Sequence, residues 1–206
     1  MTEREMLDQI RTQLKTAGET VWARYPLSTD FPCFKSATLA ARNVLKLFPA
    51  FRRWLVMRDP CLRHVREEVL HQGYDLIIPP ENGLTPLLIP SAALPLTPGG
   101  RSGSLRITPA PSGSSPYSGP VDIILVGCHA FDPKLKRVYA LDTCRTERLL
   151  VEYRDGLDDG WQVDGSVPVI AVASDAQQVD GWPTDAGLGH EVHAVVTSTR
   201  FIEMGS

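Results

Sequence analysis

Apolar residues in the first part of the chain recur at helical spacing. Leu7, Ile10, Leu14, Ala17 and Val21 fall on one face, with Glu3, Arg4, Asp8 and Arg11 on others, which predicts a helix over residues 3–23. A polar, proline-punctuated stretch follows over residues 25–33. The run SATLAARNVLKL then predicts a second helix within residues 35–47, capped by Ser36 or the residues before it. Trp54, Leu55, Val56 and Met57 form a short apolar run stopped by Asp59-Pro60, the pattern of a buried strand. Helical periodicity resumes over residues 62–72, and Gly73 stands where such a helix ends. Residues 75–79 predict another short strand. Strand, helix and strand in alternation predict a parallel sheet covered by helices.

Residues 91–119 are dense in Pro, Gly and Ser and predict a long surface loop within a single domain spanning residues 1–206. Beyond it, Val121 through Gly127 is the strongest strand pattern in the chain, apolar enough for a central strand buried on both faces. A helix is expected over residues 143–153, a strand over 167–173 ending at Ser174-Asp175, and a last strand over 192–197. No internal repeat or heptad pattern is present.

Composition narrows the possibilities. With 206 residues and 43% hydrophobic content, the chain can bury an ordinary globular core. A net charge of -3 is not the footprint of a basic nucleic-acid-binding domain, so a nucleic-acid partner is not expected. No apolar run approaches the ~20 residues that span a bilayer. Residues 1–15 are charged and helix-like rather than signal-like, so a cytoplasmic location is expected. Cys33, Cys61, Cys128 and Cys144 form no CxxC pair, which points to reduced thiols rather than a disulfide framework or a zinc site. His129 beside Cys128 has no partner at ligand spacing and is expected in the core, or supporting a site from behind. Gly187-Leu188-Gly189 precedes no helical pattern, so it is not a nucleotide fingerprint.

Several short motifs occur in a telling order. The N-terminal helix with Ile10-Arg11 is followed by Phe31-Pro32-Cys33-Phe34-Lys35 and the Ala40-Ala41 pair. Then come Arg58-Asp59-Pro60, Val65-Arg66-Glu67 and Gly73. The run VDIILVGCHAFDPKLKR over residues 121–137 is the third, with Ser174-Asp175-Ala176-Gln177 and Val195-Val196-Thr197 downstream. In this order they resemble the 5-formyltetrahydrofolate cyclo-ligase family, and within it the methenyltetrahydrofolate-synthetase-domain-like branch. The resemblance covers most of the chain outside residues 84–119.

The resemblance implies a three-layer, Rossmann-like α/β fold of the ribose-phosphate isomerase and CoA-transferase-like type. It also implies a reaction in which MgATP phosphorylates the formyl oxygen of 5-formyltetrahydrofolate, ring closure follows, and phosphate leaves. ATP and Mg²⁺ are thus the implied cofactors, and a folate or related small anion the implied partner. Arg137 and Asp132 take the catalytic positions. Arg11, Lys35, Lys136 and Arg148 fall near the implied nucleotide, and Asp175 and Gln177 on the substrate side; no metal ligand is assigned. Lys134 and Arg145 add to the local positive charge. Each residue also has a plainer role open to it: a solvated basic surface for the cations, a turn cap before Pro133 for Asp132. The family carries several glycines after its Arg, because backbone N–H groups cradle phosphate only where no Cβ intervenes. Residues 137–148 here contain none. The sequence therefore predicts a divergent or impaired cyclo-ligase-like protein, with a non-catalytic folate- or nucleotide-binding protein as the alternative. In that alternative, Tyr139 or Leu141 fills the nucleotide space.

Overall fold

Five of the apolar runs become parallel strands, and their burial explains their composition. The computed structural model describes residues 1–20, 34–79, 86–90, 113–139, 166–182 and 190–205. The first elements are α1 (Glu3–Thr16), α2 (Ala37–Leu47), β1 (Arg53–Val56), α3 (Arg63–His71) and β2 (Asp75–Ile78). Next come β3 (Leu87–Ile89), β4 (Ser115–Pro116), β5 (Ile123–Gly127), β6 (Ala130–Asp132) and β7 (Arg137–Tyr139). The last are β8 (Val169–Val172), β9 (His190–Glu191), β10 (Ala194–Val196) and β11 (Phe201–Glu203).

Eight of these strands make one sheet in the order β11-β10-β8-β5-β1-β2-β3-β4. β10, β8, β5, β1 and β2 run parallel, while β3, β4 and β11 are antiparallel additions at the two sides. Every residue of β5, β8 and β10 is buried, so these strands are covered on both faces and carry continuous apolar sequence. α2 packs on α3, and both lie against the sheet, α2 on β8 and β10 and α3 on β1 and β2. The result is the α/β architecture expected from the sequence. At the amino ends of the strands, Asp122 fixes the β1–β5 register: its Oδ2 accepts the N–H groups of Arg52 and Arg53 at 2.9 Å each, and its Oδ1 pairs with the Arg53 guanidinium.

Most boundaries follow the pattern, and the departures have physical causes. α1 begins at a capping box, with Glu5 N donating to Thr2 Oγ1 and Thr2 N to Glu5 Oε2. It stops at Thr16 rather than running on to residue 23, because Gly18 takes a φ of +68° and turns the chain out. Gly73 ends α3 in the same way, at +71°. Within the predicted surface loop, β4 pairs with β3; residues 91–112 lie outside the described residues, as does the helix expected over 143–153.

β6, β7 and β9 form a second, three-stranded antiparallel sheet. Only two residues separate it from the end of β5, so it stands over the carboxyl ends of the parallel strands. Bonds from His129 N to Tyr139 O (2.7 Å) and from Val179 N to Phe131 O (3.0 Å) attach it there.

Candidate functional site

In open α/β sheets, ligands settle outside the carboxyl ends of the strands, where the direction of winding reverses. Here the chain winds from β1 outward to β2, then returns on the other side of β1 as β5, so the reversal lies between β1 and β5. Protein groups fill that point. Asp59 Oδ2 accepts Gly127 N–H at 2.8 Å, and Gly127 is required there: a Cβ would lie 2.7 Å from Cys61 Sγ and 3.0 Å from Asp59 Cβ. From α3, the buried Arg66 donates through Nη1 to Met57 O (2.6 Å) and Asp59 O (3.2 Å). Burial lowers the Arg66 pKa to about 10 against the opposing pull of Asp59, so it stays cationic at neutral pH. Cys61 and Cys128 are buried and in no disulfide, and burial pushes the Cys128 thiol far above the range in which a thiolate forms. Cys33 and Cys144 lie outside the described residues.

The next strand ends are joined by Gln177. Its Oε1 accepts Ser174 N–H at 2.6 Å, and its Nε2 donates to Cys128 O (2.6 Å) and His129 O (3.2 Å). This fully buried side chain ties the end of β8 to the end of β5. Beside it, His129 is buried and edge-to-face with Tyr139, which is itself edge-to-face with Trp182. Burial, and then the positive charge of Arg11, push the His129 pKa down to about 4. Arg11 of α1 is thereby placed near this cluster, although its guanidinium also pairs with Asp8 at 2.7 Å on the helix surface.

Asp132 and Arg137 are brought together as directly opposed residues of β6 and β7, so both side chains leave the same face of the small sheet. Glu191 opposes Arg137 on its other side, 3.9 Å from Nη2. Asp132 is buried and takes the turn-capping role: Oδ1 accepts the N–H groups of Lys134 (2.8 Å) and Leu135 (3.2 Å), and Oδ2 that of Gly181 (2.9 Å). The connecting tip carries Lys134, ion-paired with Asp180, and Lys136, which holds a φ of +56°. Lys35 is exposed just before α2, its N–H bonded to Glu19 O, and no described contact joins it to the others. Arg148 and Arg145 lie outside the described residues.

Asp175 stands apart from Arg137 in a different knot. Its carboxylate accepts from Thr197 Oγ1 (2.9 Å), Thr199 Oγ1 (2.8 Å), Ser198 Oγ (3.4 Å) and Arg200 Nε (2.5 Å), which locks the β10–β11 turn to the end of β8. Burial alone raises its pKa, but the bonds from Arg200, Thr199 and Thr197 together outweigh this and leave it below the ordinary carboxylate value.

The arrangement gathers cations beside a packed aromatic cluster, at the strand ends where α/β proteins hold ligands. Among the described residues it does not offer carboxylates suited to a divalent cation. Asp132 and Asp175 spend their oxygens on protein donors, and among the described residues no three His, Cys, Asp or Glu side chains gather as a metal set. Sequence reasoning singled out Tyr139 as a residue that fills the site, but passed over Trp182 and the Asp59–Gly127–Arg66 cluster. The Arg58-Asp59-Pro60 and Val65-Arg66 motifs were the available signal for the last.

Fold and site together define an α/β protein with a mostly parallel sheet and a polar crest of strand ends. Among solved structures, the NMR structure of Aquifex aeolicus 5,10-methenyltetrahydrofolate synthetase shares this fold, with a TM-score of 0.56 and 18% sequence identity, over 100% of this chain and 94% of that one. No family model matches this chain, and no curated protein does. The likeness establishes the fold that the sequence resemblance implied.

Proposed function

We propose that this chain is a divergent cyclo-ligase-like protein of folate one-carbon chemistry, holding a folate or related anionic small molecule at the carboxyl ends of β5 and β8. The observation that carries this reading is likeness in fold to a methenyltetrahydrofolate synthetase over the whole of this chain. A cytoplasmic location goes with it; among the described residues no helix is long and apolar enough to cross a membrane.

In this reading Arg137 supplies the charge that holds a transferring phosphate, and Asp132 sets the angle of the hairpin that presents it. Lys136 and Arg11 add positive potential, with Lys35 and Arg148 as further contacts to an anionic cofactor. Gln177 and Asp175 shape the substrate side by fixing the strand ends. ATP, when bound, supplies the phosphoryl group that activates a formyl oxygen. The described residues fit its anionic part; among them no carboxylate set fits magnesium, so no step is assigned to that ion.

One observation favours a second reading, a non-catalytic binding protein. Tyr139 is buried against His129 and Trp182 at the strand ends, and both oxygens of the Asp132 carboxylate beside it are engaged by backbone N–H groups. Turnover of the purified protein with 5-formyltetrahydrofolate and MgATP, followed by methenyltetrahydrofolate absorbance, separates the two. Product formation that Arg137→Ala abolishes supports the enzyme. Absence of product, with no rise in melting temperature on adding ATP, leaves the binding protein.

A further inference from the structure

One side of the main sheet ends in a strand built differently from the other. β4, at the far side, is two residues long and contains Pro116, a short edge that cannot template a partner strand. β11 carries neither proline nor lysine. Thr197 N bonds Arg200 O and Met204 N bonds His193 O, so the bonded pairs of the β10–β11 ladder are 197–200, 195–202 and 193–204. The N–H and C=O groups of Phe201 and Glu203 therefore point outward, away from the sheet.

The surface beside this edge is apolar. Phe201 is 42% exposed and its ring meets Phe48, which stacks on Phe51. Asn43 of α2 donates to Thr197 O (3.2 Å) and Ser198 O (2.8 Å), which lays this side of the helix along the β10–β11 hairpin. Leu39 and Leu47, one turn before and after Asn43, share its side and are 49% and 44% exposed. Three of the five large exposed hydrophobic residues among the described ones thus line one edge. Two charges stand beside them, Glu203 on β11 and Lys46 on the Asn43 side of α2. Both are exposed, and neither has an ion-pair partner among the described residues.

We propose that this edge is a docking surface for a second copy of the chain, with the two β11 strands paired antiparallel about a two-fold axis at Ile202. Only this register lets the outward groups of Phe201 and Glu203 pair with those of the partner's Glu203 and the partner's Phe201. It sets the partner's Glu203 next to Phe201, on the α2 side of the sheet. There the carboxylate, which has no counter-ion among the described residues of its own chain, meets Lys46, which has none among them either. The contact is self-complementary, as a two-fold interface must be. It buries the exposed Phe201 and Leu47 of both copies and joins the two sheets into one.

Sedimentation velocity of the full chain across a wide dilution series tests this, with circular dichroism confirming that each variant folds. The wild type is expected to sediment as a dimer. Glu203→Lys sets like charges together at two symmetric places and is expected to weaken dimerisation by roughly tenfold or more. Lys46→Glu combined with Glu203→Lys is expected to restore it. Glu203→Pro removes only an outward N–H and is expected to give monomer; if proline disturbs β11, the charge series still decides. A wild type that is monomeric throughout overturns the proposal. So does wild-type affinity retained by Glu203→Lys, or a double variant that stays as weak as Glu203→Lys alone.

Discussion

Lys136 occupies a backbone region that costs an L-residue about 1–2 kcal/mol, because its Cβ crowds the following carbonyl. Glycine pays no such penalty, so Lys136→Gly is expected to stabilise the protein by about 1 kcal/mol, read as a higher urea midpoint at unchanged slope. Gly127 is the opposite case. A methyl there collides with Cys61 Sγ and Asp59, and Gly127→Ala is expected to cost about 1–3 kcal/mol in the same assay. His129 makes stability depend on pH. It stays neutral in the fold down to about pH 4, whereas in the unfolded chain it protonates near its ordinary value of 6.5. Between these values the unfolded chain binds more protons, so stability falls as pH drops from about 6.5 to 4, by up to about 3 kcal/mol. His129→Gln is expected to flatten that acid limb, measured as the difference in urea midpoint between pH 7 and pH 4.5.

At the scale of elements, Gln177 holds β5 and β8 in place with one side chain. Gln177→Leu keeps the volume but leaves Ser174 N–H and the carbonyls of Cys128 and His129 buried and unmet, an expected loss of about 2–4 kcal/mol in thermal unfolding. The helices and central strands were legible in the sequence because each has a clear period, or an unbroken apolar run, bounded by Pro or Gly. The β6–β7 hairpin was not. Its strands are three residues each, and the loop between them contains no glycine to announce a left-handed residue, since Lys136 takes that conformation instead. Without the hairpin, nothing places Asp132 opposite Arg137. β3 escaped notice because three residues between two prolines carry no alternation, and β11 because it is equally short. The carboxylates were legible as residues at strand ends. Their occupation by Gly181 N–H, Thr199 and Arg200 depends on segments brought together only by the fold.

For the whole molecule, the order of strands sets where protection against exchange is greatest. β1, β5 and β8 lie between neighbours on both sides and are buried throughout or nearly so, and their amides are expected to exchange slowest in deuterium. β4 is expected to exchange fastest among the strands of the main sheet, since its two residues carry one N–H fewer through Pro116. Slow exchange in β4 together with fast exchange in β5 would contradict this sheet order.

The central place of β5 also has a consequence in time. β1 pairs with β2 across a short α3 crossover, but its other side waits for β5, whose pairing residues begin at Ile123. At ribosomal rates the interval between Val56 and Ile123 lasts roughly 3–13 seconds. Until β5 arrives, the apolar run Trp54-Leu55-Val56 presents an unpaired strand edge once it has left the exit tunnel. The nascent chain is therefore at its most adhesive midway through synthesis, when an unpaired apolar edge has most opportunity to meet another chain.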